Sequence, residues 1–201
     1  MKRLVLSLFI IASFSISCGE SAEELLDSGW ANFEAGDYAQ AINDFEDAIS
    51  ENSSLTEAYS GIGWSQLRLD RIDDAENNFQ TALDRNYAGK EVLAGLAAIS
   101  LAKEEYMAAI GYAESILNID PDWVFVHDSS VDYRDVWLLV AIANFHEGNF
   151  AEVESAIKNF DNSFSISENS PSTWVVGTVS YDSYEEAIAA YLLSISSELN
   201  I

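Results

Sequence analysis

The chain has 201 residues, 49% of them apolar and only two of them proline, which excludes global disorder and allows one domain with a buried core. Acidic residues outnumber basic ones 34 to 9, a formal charge of −25, and a surface of that sign repels phosphate backbones and so excludes nucleic acid as a partner class. A single cysteine excludes an intrachain disulfide.

In chain order, residues 1–17 read as a secretory signal. Lys2 and Arg3 make a positive start, and Leu4 to Phe14 is an apolar run broken only by Ser7 and Ser13. That run is shorter than the roughly 20 apolar residues a membrane-crossing helix needs. Ser15-Ile16-Ser17 then leads to Cys18, the lone cysteine. A cysteine closing such a segment resembles the lipobox of bacterial lipoproteins, with Ser15 where a leucine is usual. The resemblance implies cleavage before Cys18, acylation of that residue (palmitate among the acyl groups) and residues 18–21 as a lipidated tether. Gly19 stands where an aspartate would signal inner-membrane retention in some bacteria, so the expected location is the outer membrane, facing the periplasm. Without Lys2 and Arg3, 7 basic residues face 34 acidic ones, a formal charge of −27, and no lysine or arginine occurs between Leu4 and Leu67.

From residue 22 the chain repeats itself. Gly29 and Gly63, Trp30 and Trp64, Ala41 and Ala75, Phe45 and Phe79, and Ala48 and Ala82 are each 34 apart. The same step takes Ala75 to Ala109, and Asp120-Pro121 closes that unit. This period, with its small residues, aromatic knobs and closing Asp-Pro, resembles the tetratricopeptide repeat, a helix-turn-helix unit that buries its faces only by stacking. The spacing of Leu25, Ser28, Gly29 and Asn32 predicts one stripe of a first helix, with Gly29 and Gly63 allowing close approach. Gly36-Asp37 predicts the turn to a second helix, replaced by Asp70-Arg71 one unit later.

The resemblance therefore implies an all-α fold, a right-handed superhelical stack of three to four helix pairs. Three units cover 22–121. In the third, Ala97 replaces glycine, Ala113 phenylalanine and Ile116 alanine, so large and small residues exchange places. An insertion over 122–133 precedes a degenerate fourth unit at 134–160, where Gly148-Asn149-Phe150 repeats the turn. Residues 161–201 are expected to hold a loop, a β-rich segment and a capping helix opened by Asp182 or Ser183. WVFVH (123–127) and WVVGTVSY (174–181) are rich in β-branched and aromatic residues, and their pairing as a short β-ribbon is expected.

No catalytic, cofactor-binding or metal-binding set stands out. His127 and His146 are the only histidines. The His127-Asp128 pair supports one rival reading, a metal-binding or enzymatic accessory protein; a structural oligomer subunit is another. The tetratricopeptide resemblance favours a non-catalytic protein-protein binding or assembly adaptor in the bacterial cell envelope. In that family fixed positions line a concave groove. Carried onto this chain, they give an apolar strip of Trp30, Phe33, Trp64, Leu67, Leu101 and Phe145, with Ala98 and Ile142. A carboxylate flanks it in every unit, namely Glu23, Glu57, Glu91 and Asp135. The expected partner is a protein or peptide, basic and with apolar anchors. Leu26, Trp30 and Ser60 offer none of the lysine or asparagine that clamps acidic C-termini in some relatives.

Overall fold

A computed structural model describes residues 20–198, so the signal sequence and Cys18 lie outside the described residues. Nine α-helices lie among those described: α1 (Ala22–Glu34), α2 (Tyr38–Glu51), α3 (Glu57–Arg68), α4 (Ile72–Asp84), α5 (Lys90–Ala102), α6 (Tyr106–Ile119), α7 (Tyr133–His146), α8 (Phe150–Lys158) and α9 (Tyr184–Ile195). None is long and apolar enough to cross a membrane. Each of α1 to α7 packs on the helix that follows it, and the odd-numbered helices α1, α3, α5 and α7 also touch in sequence, forming one layer of the stack.

The even-numbered helices of the stack begin at Tyr38, Ile72, Tyr106 and Phe150, steps of 34, 34 and 44. One turn geometry precedes all four. Gly36, Asp70, Glu104 and Gly148 have φ of 83°, 58°, 62° and 76°. Each donates its amide to the carbonyl three residues back, and the next residue donates to the one five back, as in Gly36 N to Phe33 O (2.9 Å) and Asp37 N to Asn32 O (2.8 Å). This pair of hydrogen bonds satisfies two of the last carbonyls of the odd helix and turns the chain into the even one. The left-handed backbone suits glycine; Asp70 and Glu104 hold it at a cost of about 1–2 kcal/mol.

Helix packing explains the glycines on α1, α3 and α5. A Cβ on Gly29 would lie 2.5 Å from the Phe45 ring, and one on Gly61 would lie 2.4 Å from the same ring. Phe79 sits likewise between Gly63 (2.7 Å) and Gly95 (2.3 Å). On α2 and on α4 one phenylalanine therefore fills the notch between two successive odd helices. Both rings are fully buried. Across α1 and α2 the carboxylate of Asp44 accepts from Ser28 Oγ, Asn32 Nδ2 and Gln40 Nε2, each at 2.7 Å. Burial pushes the Asp44 carboxyl up, and these three donors outweigh it, holding the group below the usual carboxylate range.

At the C-terminal end α9 packs on α7, burying Tyr184, Ala187, Ile188 and Leu192. Ser183 caps it, its Oγ accepting from Glu186 N at 3.1 Å. A short ribbon is present, but its partners differ from the expectation. β1 (Val175–Val176) pairs with β2 (Val179–Ser180) inside the second β-rich segment, turning at Gly177, whose φ is 61°. WVFVH takes no part in it. Local closure over Gly177-Thr178 loses less chain entropy than pairing segments some 50 residues apart.

Candidate protein-binding face

The layer of odd-numbered helices carries Trp30 and Phe33 on α1 and Trp64 on α3, one turn or one unit apart. Each tryptophan is tied to the start of the next odd helix. Trp30 Nε1 donates to Glu57 Oε1 (3.1 Å), and Trp64 Nε1 to the Glu91 carbonyl (3.0 Å). Both indoles are thus fixed between successive units.

Residues 120–132, between α6 and α7, lie against these rings. Phe125 N donates to Val131 O (2.9 Å), Tyr133 N donates to Trp123 O (2.8 Å), and Val124 bridges Asp132, so the insertion is a small hairpin. Its turn is held by Asp128 Oδ1, which accepts from Ser130 N and Oγ. Extended backbone sends alternate side chains to opposite sides. Trp123 and Phe125 are buried, 3% and 1% exposed, whereas Val126 between Phe125 and His127 is 83% exposed.

Phe125 stacks on Trp64 (4.6 Å between centroids, 26°) and meets the edges of Phe33 (5.9 Å) and Trp30 (6.1 Å). His127 lies flat on Trp30, with 3.7 Å between centroids and 2° between planes, and its Nδ1 is 2.9 Å from Glu34 Oε1. Asp128 Oδ2 accepts from Arg68 Nη2 at 2.7 Å, and Arg68 itself leans over the Trp64 ring. Burial raises the Asp128 carboxyl, while Ser130 and Arg68 more than offset this and hold it low. The first and second units therefore grip the segment 123–128, which runs extended to Phe125 and then turns at Val126-His127, where Asp128 N donates to Phe125 O at 3.2 Å, by stacked rings at its centre and two polar contacts at its end.

This arrangement redistributes the residues expected from sequence. Trp30, Phe33 and Trp64 come together under the insertion and are buried. Leu67, Leu101, Ile142 and Phe145 are half-buried and continue along the odd helices. The carboxylate row is largely engaged within the fold. Glu57 accepts from Trp30; Glu91 accepts from the Tyr87 hydroxyl, which burial and that carboxylate push above its ordinary pKa. Asp135 is buried in a capping box, accepting from Asp132 N at 2.8 Å. Only Glu23 of the four is exposed. His127 and Asp128 point to different partners and form no dyad, and His146 stacks on Tyr106 (4.5 Å, 2°). No group of three or more His, Cys, Asp or Glu placed to hold a metal occurs among the described residues.

Sequence reasoning missed Trp123, Phe125 and His127 as occupants of the strip. The alternation Trp-Val-Phe-Val-His was the available signal, since it marks an extended segment with one aromatic face. Beside the segment, Trp64, Leu67, Arg68, Ile72, Ala98, Ile99 and Ala102 surround a recess of about 150 Å³. A larger cavity of about 370 Å³ lies near α7 and α9, where Asp132 pairs with Arg134 and Asp161 with Tyr191.

Residues 32–99 match the family model of the tetratricopeptide repeat. That stretch is therefore similar to tetratricopeptide repeats. Among solved structures, the helical stack resembles YrrB, described as a tetratricopeptide protein with an unusual peptide-binding site, at 14% identity over 89% of this chain and 84% of that one, TM-score 0.61. It also resembles a tetratricopeptide protein from Parabacteroides merdae at 15% identity over 90% of this chain and 63% of that one, TM-score 0.59. MamA matches at 20% identity over 69% of this chain and 75% of that one, TM-score 0.57. These likenesses concern the fold. A search of curated protein sequences returns no match. In the tetratricopeptide family the layer of first helices lines the concave face, and residues 123–128 lie on the corresponding odd-helix layer here.

Proposed function

We propose that this tetratricopeptide protein is a lipid-anchored adaptor of the bacterial cell envelope, which binds an extended segment of a partner protein on its concave face. The observation that carries the reading is the grip of Trp30, Phe33 and Trp64 on residues 123–128, because it gives this face the chemistry to hold a peptide segment by alternate aromatic side chains. Recognition of peptide by YrrB, a protein of similar fold, is consistent with it. The anchor rests on Lys2, Arg3, the apolar run and Cys18, which favour acylation and attachment to the outer membrane facing the periplasm. The formal charge of −27 after cleavage favours a partner with net positive charge.

Two experiments address the two halves of this reading. Cys18→Ser should abolish incorporation of labelled palmitate and release the protein from the membrane fraction; unchanged labelling would refute the anchor. For the adaptor, a photo-crosslinking residue at Leu101, on the concave face beyond the insertion, should give a discrete crosslinked product in cells. The same residue at Gly111, exposed on α6, should not. Equal crosslinking from both positions would refute the groove. Of the carboxylates, Glu23 gives the clean charge test, since reversal at Glu57 or Glu91 also breaks a bond within the fold.

A further inference from the structure

The strip that a partner would use is already filled by the chain itself. Residues 123–128 leave the junction of α6 and α7, cross the odd-helix layer and reach α1, more than 90 residues earlier in sequence. The segment meets the concave face as a ligand would. It places rings at alternate positions, Phe125 on Trp64 and His127 on Trp30, across a turn at Val126-His127, and its last two residues meet a carboxylate and a guanidinium. Nothing in helix connection requires this route, because α6 and α7 pack directly on one another as the earlier pairs do with the short loops 52–56 and 85–89.

We infer that residues 123–128 are an internal ligand of the concave face, and that the external partner displaces them with a segment of the same pattern. That segment carries aromatic side chains at alternate positions to meet Trp64 and Trp30, a cationic or imidazole group opposite Glu34 and a carboxylate opposite Arg68. The inference rests on the adaptor reading only for the existence of an external partner; occupation of the groove from within is independent of it. A tethered segment acts at roughly millimolar effective concentration, so a partner must bind better than the segment does in isolation. The recess of about 150 Å³ beside Trp64 and Arg68 supplies the means, since residues 123–128 leave it open and a larger apolar side chain on the partner would fill it.

The test is complementation in trans. In the full chain, residues 123–131 are replaced by a Gly-Ser linker of equal length; a second variant carries Phe125→Ala with His127→Ala. The probe is a fluorescent peptide of residues 122–130, with a control peptide in which alanine replaces Phe125. Anisotropy should show the linker variant binding the probe at least tenfold more tightly than the unaltered protein, the double variant falling between them, and the control peptide binding none of them. Equal binding to all three proteins, or no binding to a linker variant that keeps its helical circular dichroism, would overturn the inference. If both variants lose that helical signal, the segment is part of the core and the inference also fails. Absence of probe binding together with crosslinking at Leu101 would remove the internal ligand and leave the adaptor; probe binding without crosslinking would do the reverse.

Discussion

The first two units and the last two solve one packing problem differently. Around α2 and α4 a phenylalanine knob is held between glycines of the two flanking odd helices. Around α6 the equivalent positions are Ala97, Ala113 and Leu139, and all three are buried. The bulk has moved from the even helix to the odd one, while the turn geometry at Gly36, Asp70, Glu104 and Gly148 stays the same. Backbone period and side-chain partition are therefore separable. Turn chemistry sets the helix starts, and complementary volumes need only add up across the interface.

The largest effect that would break this contrast is loss of a knob. Phe79→Ala should cost about 3–5 kcal/mol in chemical denaturation, because a fully buried ring between two glycines leaves a cavity that neither glycine can fill. A loss below about 1 kcal/mol would mean that the notch collapses and that the glycines are incidental. Next come the glycines, where propensity and packing predict opposite signs. Gly61→Ala places a Cβ 2.4 Å from Phe45 and should destabilise by about 1–3 kcal/mol despite alanine's better helix propensity. Gly111, on exposed α6 surface with open space around its Cβ position, should respond in the other direction: Gly111→Ala should stabilise by about 0.5–1 kcal/mol.

A third difference lies between α1 and α2. Asp44 ties them together in the first unit, whereas Asn78 bonded to Gln66 takes that place in the second. The folded pKa of Asp44 lies below its unfolded value. Its contribution is therefore complete above the ordinary carboxylate pKa of about 3.9 and is lost as pH falls through the lower folded value. Acid denaturation of Asp44→Asn should be less steep in that window; an unchanged profile would show that the three donors do not favour the ionised form. At the turns, Glu104→Gly should stabilise by about 1 kcal/mol by relieving a left-handed backbone.

The helix-pair architecture was legible because repeats expose their packing as arithmetic. Gly29 to Gly63 and Phe45 to Phe79 repeat at 34, and so do Gly61 and Gly95, the far walls of the two phenylalanine notches, which the sequence reading passed over. The concave face was legible only as a set of positions. That Trp30 would spend its indole N–H on Glu57, and that Glu91 would accept from Tyr87, depends on how successive units stack, which no single unit encodes. The occupant was the least legible part. WVFVH announces an extended segment with an aromatic face, but its destination on α1 depends on a return across two units of the stack, and local pattern carries no record of that distance.

Occupation of the concave face by the chain's own insertion is most directly tested by amide hydrogen exchange across residues 122–133. Phe125 N–H is bonded to Val131 O in a hairpin buried against Trp64, Trp30 and Phe33. The Phe125 and Tyr133 amides should therefore exchange orders of magnitude more slowly than those of an open loop, with protection approaching that of α1 and α3. Exchange across the whole segment at the rate of an unstructured loop, with α1 and α3 still protected, would contradict the account and leave the groove empty in solution.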